Sequence, residues 1–288
     1  MPDYSERTER LINIFNDTQA RYNDNPDLAA AVKKSCREAK LYEADEYPTL
    51  TDDLRKPQCE VTITKLKTFE AAMRQRQLHP QAKIAVLNFA SATNPGGGVK
   101  KGSIAQEECL CRCSTLYPTL DTQTFWQKYY NVNRASCDAK HTDACIYSPN
   151  IVVFKSDEQF PAMLKPQDWV TLDVITCAAP NLRSNPNNRF NPGQAQKISL
   201  TPDQQYKLHL QRARHILTVA ASHNADILIL GAFGCGAFRN DPYAVARAYR
   251  DALGELHKYF SRVEFAIYCR DNETINFNAF RQVLTGKR

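Results

Sequence analysis

The feature that most constrains the fold is an alternation of apolar strand segments with helical segments, which begins near residue 60. Some of these segments are continuously apolar, such as residues 227–230, which read ILIL. A continuous apolar run is typical of a strand that is buried on both faces of a sheet. Strands of this kind that alternate with helices predict a three-layer α/β/α domain around a mostly parallel or mixed sheet.

The apolar segments predict six strands, over residues 61–66, 83–89, 146–154, 169–177, 226–230 and 263–269. Five helices are expected between and after them, over residues 68–78, 104–117, 202–224, 242–260 and 272–285. One helix start is well marked, because Thr201 is followed directly by Pro202 and, three residues after the threonine, by Gln204. This order is typical of an N-cap, a first helical position and a capping box.

The first part of the chain follows a different pattern. Apolar residues between 11 and 15 form one face of an expected helix, and residues 28–42 form a second helical stretch. Two prolines in residues 47–58 indicate a linker. We therefore expect an N-terminal helical extension over residues 1–58 and an α/β domain over residues 59–288.

Composition narrows the class of protein. The 288 residues are 43% hydrophobic and 24% charged, which is ordinary for a globular protein. No apolar run reaches membrane-spanning length, and the first residues lack the apolar region of a signal peptide, so we expect a cytoplasmic or nuclear protein.

The ten cysteines are then expected to be mostly reduced, buried small hydrophobes. A net charge of +6 suits an anionic substrate, but no basic run indicates nucleic-acid binding.

A glycine-rich motif with two carboxylates follows the second expected strand. It reads GGGVKKGSIAQEE over residues 96–108. Three consecutive glycines let a backbone approach a ligand closely, with N–H groups turned inward and no Cβ in the way. A phosphate cradle beside a proton donor suggests cleavage of a nucleotide-sugar bond, although a plain glycine-rich turn is the simpler interpretation of the glycines alone.

The two carboxylates of this motif are expected to differ in role. Ser103 and Gln106 have the spacing of a capping box, which places Glu107 and Glu108 just past the first turn of a helix. Adjacent helical residues point about 100° apart around the axis. A glutamate beside a second glutamate and a bound diphosphate has a raised pKa, which suits a general acid. An acidic pair at a helix start can also be no more than a favourable interaction with the helix dipole.

A second glycine-rich loop, GAFGCGAFRNDP over residues 231–242, lies between an expected strand and an expected helix. Strand, glycine loop and helix N-terminus together bind phosphate through loop N–H groups and the positive helix end. Three glycines within six residues, with Phe233 and Phe238 among them, favour a loop that wraps a diphosphate and packs rings on sugar or base. The alternative is a plain strand-to-helix turn.

Two other features have weaker interpretations. The aromatic-rich residues 119–145 fit neither a strand nor a helix pattern, and we favour a surface excursion with its own small core over a base-stacking platform. The cysteines at 109, 111 and 113 cannot all ligate one ion from one helix. Cys137, His141 and Cys145 could share a helical face, but a fourth metal ligand is missing.

The motifs together resemble those of a known family. The spacing of GGG and QEE, and the surrounding sequences LNFASATNPGGG and QEECLCRCSTLY, resemble the signature of microbial-type poly(ADP-ribose) glycohydrolases. The TCAAPN segment over residues 176–181 and the GAFGCGAF loop resemble those of a macrodomain, the fold of that family's catalytic domain. The resemblance covers roughly residues 60–288 and implies a three-layer α/β/α macrodomain with a mixed central sheet.

The resemblance also implies roles for individual residues. Glu108 would be the catalytic acid/base, and Glu107 would hydrogen-bond a ribose hydroxyl and orient the sugar. The other implied substrate-binding residues lie in the two loops, and they are Asn94, Gly96, Gly97, Gly98 and Gln106 in the first and Gly231, Gly234, Cys235, Gly236, Ala237 and Phe238 in the second. No metal or other cofactor is implied.

By the same resemblance, the substrate would be poly(ADP-ribose) or an ADP-ribosylated protein, and ADP-ribose would be the product. Two alternatives remain open. One is a hydrolase of the same fold that acts on mono-ADP-ribosylated protein, and the other is a non-catalytic ADP-ribose-binding domain. A binding domain needs the glycine loops but no paired glutamates, so the intact QEE argues against it.

Overall fold

A seven-stranded mixed sheet runs through the centre of the protein in a computed structural model that describes residues 4–187 and 196–286. The strands are β1 Lys40–Tyr42, β2 Glu60–Thr64, β3 Ile84–Ala90, β4 Cys145–Val153, β5 Val170–Ala178, β6 Ile227–Leu230 and β7 Arg262–Ala266. Their order across the sheet is β1-β4-β5-β3-β6-β7-β2. The pairs β1–β4 and β4–β5 are antiparallel, and the other four pairs are parallel.

Helices cover both faces of the sheet. They are α1 Tyr4–Asp24, α2 Pro26–Glu38, α3 Thr68–Leu78, α4 Gln106–Cys113, α5 Leu116–Leu120, α6 Gln123–Phe125, α7 Asn131–Ser136, α8 Pro202–Ser222, α9 Pro242–Leu256 and α10 Ile275–Thr285. A π-helical turn, Trp126–Tyr130, connects α6 to α7. The predicted α/β/α architecture with a mixed sheet is therefore confirmed, and all six predicted strands are present.

The alternation of side chains along β3 shows why its sequence is apolar throughout. Ala85 and Leu87 lie in the core beneath α8, α9 and α10. Ile84 and Val86 point the other way, into the core formed with α1, α3, α4 and α5. A strand that is covered on both faces has no solvent-facing positions, so its sequence does not alternate between polar and apolar residues.

The start of α8 follows its sequence signal. The Thr201 hydroxyl oxygen accepts the N–H of Gln204 at 3.2 Å, and the Gln204 side-chain oxygen accepts the N–H of Thr201 at 2.9 Å. This reciprocal pair is the predicted capping box.

The expected helix over residues 104–117 is divided into α4 and α5. The carbonyl of Cys113 accepts the N–H of Phe154, 3.0 Å away and just beyond β4, and Ser114 is extended with φ −148° and ψ 178°. The chain just after β4 thus hydrogen-bonds to a carbonyl in the last turn of α4, and the helix ends there.

The N-terminal segment contributes to the sheet. Residues 28–42 were expected to form one helix, but α2 ends at Glu38 and β1 pairs antiparallel with β4. The helix α1 packs its Phe15 ring edge-on to Tyr117 at a centroid distance of 5.1 Å. The Thr18 hydroxyl donates to the carbonyl of Arg112 at 2.7 Å. The helix α1 therefore contacts α4, the helix that begins with the two adjacent glutamates.

The structure describes all ten cysteines as free thiols, and five of them are buried, namely Cys111, Cys113, Cys145, Cys177 and Cys235. Among the described helices, none combines the length and apolarity that a membrane span requires.

An exposed glycine inside α9 gives a first testable expectation. A Cβ added to Gly254 would meet no atom within 4 Å, and glycine costs about 1 kcal/mol relative to alanine in a helix interior. We expect Gly254→Ala to raise the free energy of unfolding by about 0.5–1 kcal/mol. Urea denaturation measures the change, and a lowered midpoint at an unchanged m-value would contradict it.

Candidate active site

Three loops meet at the carboxyl end of the parallel strands, the usual ligand-binding edge of an α/β sheet. They follow β3, β5 and β6. The loop after β6 touches the end of β3, since a Cβ on Gly231 would lie 2.7 Å from the Phe89 ring. The same loop touches the end of β5, since a Cβ on Gly234 would lie 2.6 Å from the Ala179 methyl group. Residues far apart in sequence thus form one site.

Glu107 lies at the first turn of α4 and is only 2% exposed. Its Oε2 accepts the N–H of Ser91 at 2.7 Å, and its Oε1 accepts the Asn88 side-chain amide at 3.3 Å. Asn88, the polar residue near the end of β3, also donates to the hydroxyl of Thr176 on β5. Both oxygens of Glu107 are therefore held by the ends of the central strands.

Glu108 is 7% exposed and is bound differently. Its Oε1 accepts the N–H of Gly98 at 2.8 Å. Its Oε2 is buried and has no hydrogen-bond partner among the described residues. A buried carboxyl oxygen without a partner is costly unless a ligand supplies one, so Glu108 is a candidate functional residue.

The start of α4 differs from the predicted capping box. The helix begins at Gln106 with Ala105 as its N-cap, and no side chain caps it. The Gln106 amide instead accepts the N–H of Phe89 and donates to the carbonyl of Leu87, both at 2.8 Å. Gln106 thus binds the end of β3 and fixes the helix start against the strand. The two glutamates consequently lie within the first turn and not beyond it.

Burial raises the pKa of both carboxyl groups. For Glu107, the charge of Glu108 adds to the effect of burial and the pKa rises well above its usual value, against the opposing donors Ser91 and Asn88. For Glu108, burial is again the largest cause, opposed by the Gly98 N–H and the Arg112 guanidinium. The direction agrees with the raised pKa expected for this pair, but its main cause is burial and not a neighbouring charge, and it favours the protonated form needed by an acid.

The first glycine loop is shaped by the glutamates. Gly96 and Gly97 have left-handed backbones with φ of +65° and +55°. A Cβ on Gly97 would lie 2.6 Å from Oε1 of Glu108 and 3.1 Å from Oε2 of Glu107. A Cβ on Gly96 would lie 2.7 Å from the Tyr117 ring. These glycines therefore allow the backbone to approach the carboxylates, a reason that the sequence pattern did not reveal.

The second glycine loop is tied down by one buried side chain. The Asn240 amide donates to the carbonyls of Pro180 at 2.7 Å and Gly234 at 3.0 Å, and its Oδ1 lies 2.9 Å from Nε2 of His209. Gly234 has φ of +76°, and a Cβ there would also meet Asn240. The loop is thus held rigidly against the end of β5.

The tip of this loop faces away from the protein. Gly236 and Ala237 are exposed, and a Cβ on Gly236 would meet nothing within 4 Å. Within the described ranges, the N–H groups of Gly236, Ala237 and Phe238 have no hydrogen-bond acceptor. Protein packing thus explains the glycines at 231 and 234 but not the one at 236, which leaves room for a ligand.

Two details of the second loop correct the sequence interpretation. Phe233 is buried against Phe89 and His209, so only Phe238 can pack against a ligand. The N-terminus of α9 is capped by Asp241, whose carboxylate accepts the N–H of Tyr243 at 2.9 Å. A carboxylate therefore occupies the positive helix end, and the loop N–H groups remain as the anion donors.

The Phe238 ring has two polar neighbours that the sequence did not indicate. The Arg183 guanidinium lies 5.5 Å from the ring centroid, and the His141 ring lies 6.4 Å away. His141 has a left-handed backbone with φ of +59°, and burial lowers its pKa to about 4, so the ring is neutral at physiological pH. Phe238 thus lies beside one cation and one neutral imidazole.

The aromatic segment over residues 119–145 packs into the main core. The rings of Phe125, Tyr129 and Tyr130 are buried with residues of α1, α4 and the sheet. The expectation of a surface excursion with its own small core was therefore wrong, because these rings complete the core above α4. Trp126 lies between the Tyr130 ring at 5.4 Å and the Arg134 guanidinium at 4.7 Å, which leaves no support for a base-stacking platform.

The same segment does not form a helical metal site. The helix α7 ends at Ser136, and Cys137 and His141 both have positive φ, so Cys137, His141 and Cys145 share no helical face. Among the described residues, no group of three His, Cys, Asp or Glu side chains could hold a metal ion.

Asn94 lies at the start of the first glycine loop. Its carbonyl accepts the N–H of Gly97 at 3.0 Å, and its side-chain oxygen accepts the Arg134 guanidinium at 2.6 Å. The structure thus brings together Asn94, the three glycines and both glutamates. Sequence reasoning missed Asn88 and Arg134. A polar residue near the end of an apolar strand was an available signal for Asn88, whereas nothing in the sequence singled out Arg134.

Comparison with known proteins shows which family the chain resembles. The family model described as "Microbial-type PARG, catalytic domain" matches residues 8–156. The crystal structure of poly(ADP-ribose) glycohydrolase from Deinococcus radiodurans in complex with ADP-ribose is 36% identical, with a TM-score of 0.73 over 89% of this chain and 98% of that one. The Thermomonospora curvata enzyme bound to the inhibitor ADP-HPD is 27% identical, with a TM-score of 0.75 over 94% and 98%.

A search among curated proteins returned no significant match. The family match spans more than half of the chain. It includes Glu107, Glu108 and most of the N-terminal helices. The Deinococcus radiodurans enzyme is matched over nearly its whole length. The chain therefore belongs to the family of microbial-type poly(ADP-ribose) glycohydrolases.

Proposed function

We propose that this poly(ADP-ribose) glycohydrolase cleaves the ribose–ribose O-glycosidic bond with Glu108 as its general acid and base. The observation that carries the proposal is the buried, unpartnered Oε2 of Glu108. Oε1 of the same carboxyl is fixed by the Gly98 N–H, so Oε2 is the oxygen left to face a substrate. Burial raises the pKa of this carboxyl and so favours the proton that the reaction needs.

The second glycine loop is proposed to bind the diphosphate of the ADP-ribose unit. The N–H groups of Gly236, Ala237 and Phe238 are the donors, and the missing Cβ at Gly236 lets the phosphates approach. Phe238 packs against the ribose. The related Deinococcus radiodurans enzyme was crystallised with ADP-ribose, which supports this class of ligand.

The reaction then follows from one carboxyl group. Glu108 gives its proton to the glycosidic oxygen, and the bond between that oxygen and the anomeric carbon breaks with its electron pair on the oxygen. The ribosyl cation that forms is stabilised by the adjacent diphosphate. Glu108, now a carboxylate, takes a proton from water as the water oxygen attacks the anomeric carbon. ADP-ribose is released, and Glu108 is protonated again.

Glu107 has a different proposed role. Its two oxygens are held by Ser91 and Asn88, so its position is fixed relative to the ends of β3 and β5. A carboxyl oxygen has two lone pairs and can accept a ribose hydroxyl in addition to these donors. Glu107 thus orients the sugar so that its glycosidic oxygen faces Glu108, a positioning effect of the kind that lowers the activation barrier.

The substrate class can be tested with two substrates. Purified protein is incubated with poly(ADP-ribose) and with a mono-ADP-ribosylated protein, and released ADP-ribose is quantified by chromatography. We expect release from the polymer and at most slow release from the mono-modified protein. Release from the mono-modified protein alone would show that the chain is a mono-ADP-ribosyl-protein hydrolase, and binding of ADP-ribose without release from either would show a binding domain.

The acid role predicts a pH profile. Glu108 must be protonated to start the reaction, and burial raises its pKa. We expect kcat/KM for the polymer to fall as pH increases through this raised pKa, because the protonated fraction then declines about tenfold per pH unit. The profile is measured with initial rates from acidic to alkaline buffers. A kcat/KM that rises throughout this range would show that the acid form is not required.

A further inference from the structure

Arg134 is an exposed cation fixed beside the first glycine loop. Its Nε donates to the carbonyl of Thr93 at 2.7 Å, and its Nη2 donates to Oδ1 of Asn94 at 2.6 Å. Its guanidinium also lies over the Trp126 ring, 4.7 Å from the centroid. Two hydrogen bonds and one ring face hold a long side chain that would otherwise be mobile in water.

The charge of Arg134 is not neutralised by these contacts. Both acceptors are uncharged amide groups, and no carboxylate lies within ion-pair distance of Arg134 in residues 4–187 and 196–286. Two acidic residues of the same region have other partners, since Asp121 lies 3.8 Å from Lys100 and Asp138 lies 3.4 Å from Lys140. An ordered, unpaired guanidinium is a ready donor for phosphate oxygens.

Within the described part of the chain, Arg134 hydrogen-bonds to the first glycine loop and not to the second. It contacts Asn94, whose carbonyl is bonded to Gly97, and a Cβ on Gly97 would touch Glu108. The hydrogen bonds of Arg134 thus connect it to the first glycine loop, which holds Glu108, whereas the diphosphate of the bound unit is assigned to residues 236–238 of the second loop. A phosphate that reaches Arg134 would belong to a neighbouring unit of the chain.

We propose that Arg134 binds the diphosphate of the ADP-ribose unit next to the one being released and so favours a polymer over a single unit. This inference rests on the proposed function. It makes Arg134 a specificity-determining residue that contacts substrate outside the catalytic pair. The alternative is that Arg134 only anchors the loop at Thr93 and Asn94, and the experiment separates these roles.

The experiment compares three variants with the wild-type protein. Arg134→Gln removes the charge but keeps an amide N–H at the position of Nε, where it can donate to the carbonyl of Thr93, whereas Arg134→Lys keeps the charge and loses the planar guanidinium. Lys128→Gln is the matched control, because Lys128 is an exposed cation of the π-helical turn that precedes α7, and among the described residues no hydrogen bond or ion pair joins it to the first glycine loop. KM and kcat for poly(ADP-ribose) are measured at several salt concentrations, and ADP-ribose affinity is measured by calorimetry.

For Arg134→Gln we expect the KM for the polymer to rise about fivefold, the effect of roughly 1 kcal/mol from one charged contact. The affinity for ADP-ribose and kcat should stay unchanged. The slope of log KM against log salt should decrease, by at most about 0.7 if one phosphate contact is lost from a single strand. Arg134→Lys keeps the charge, so its polymer KM and its salt slope should both lie close to the wild-type values. Lys128→Gln should match the wild type in both.

Two results would overturn the inference. If Arg134→Gln weakens ADP-ribose binding as much as it raises the polymer KM, Arg134 is a loop anchor. If the polymer KM and its salt dependence are unchanged, Arg134 binds no substrate phosphate. A wild-type protein that binds ADP-ribose without releasing it from the polymer would refute the proposed function, and this inference with it.

Discussion

Glu108→Gln is expected to abolish measurable hydrolysis of poly(ADP-ribose) while ADP-ribose still binds. An amide cannot give up a proton as an acid or take one as a base, and such roles each contribute about 10²–10⁴-fold in rate. Because Glu108 performs both roles in the proposed mechanism, we expect kcat to fall by at least about 10³-fold. The Gln side-chain oxygen can still accept the Gly98 N–H, so the loop should keep its shape.

The measurement has two parts. Released ADP-ribose gives kcat, and calorimetry gives the dissociation constant of ADP-ribose for each variant. Glu255→Gln serves as the control, because Glu255 is an exposed carboxylate that pairs with Arg214, and the helices α8 and α9 that carry this pair pack in a different core from α4. It should leave both quantities unchanged. Near-normal turnover by Glu108→Gln would show that another group is the acid.

Gly97→Ala is expected to lower kcat by about 10²-fold with only a modest loss of stability. The new Cβ would lie 2.6 Å from Oε1 of Glu108. That atom is the end of a flexible side chain, so the contact can be relieved by moving the carboxyl group. This movement would displace the carboxyl group that we propose as the acid, and a displacement of about 1 Å is enough to lower kcat by that factor. The left-handed backbone adds roughly 1–2 kcal/mol of strain.

Gly102→Ala provides a matched control for this prediction. Gly102 is also left-handed, with φ of +74°, but its Cβ would meet the backbone oxygen of Thr8 at 2.7 Å and no carboxylate. We expect it to lose more stability than Gly97→Ala, with kcat per folded molecule largely retained. Thermal unfolding and initial rates are measured for both variants. Equal losses of kcat in both would indicate a general disturbance of the loop.

Much of the fold could be predicted because the strands are buried on both faces. Their apolar runs are long enough to distinguish strands from loops, and all six predicted strands are present. The short strand β1 could not be found this way. Its three residues follow α2 directly, and their extended conformation comes from pairing with β4, more than 100 residues later in the chain.

The division of α4 from α5 has a similar cause. The local sequence from 104 to 117 has helical periodicity throughout, but the chain just after β4 takes the carbonyl of Cys113. The buried position of the segment that contains Tyr129 and Tyr130 was also beyond sequence reasoning. Aromatic content alone does not show whether a ring covers its own small cluster or the main core.

The site was predictable in its residue types and less so in its geometry. The paired glutamates and the glycine loops stand out because they break the surrounding pattern. The reason for Gly97 is a contact with Glu108, which only the folded chain displays. The different roles proposed for Glu107 and Glu108 likewise rest on their partners, since Ser91 and Asn88 bind both oxygens of one carboxyl and Gly98 binds one oxygen of the other.

The central claim is that Oε2 of Glu108 faces the bond that is cleaved, and a crystal structure of the wild-type protein with ADP-ribose tests it most directly. We predict that Oε2 lies within about 3 Å of the anomeric hydroxyl of the terminal ribose. We also predict that the N–H groups of Gly236, Ala237 and Phe238 contact the diphosphate. An ADP-ribose bound elsewhere, or an anomeric hydroxyl that contacts Glu107 and lies beyond hydrogen-bond distance of Glu108, would contradict the assignment.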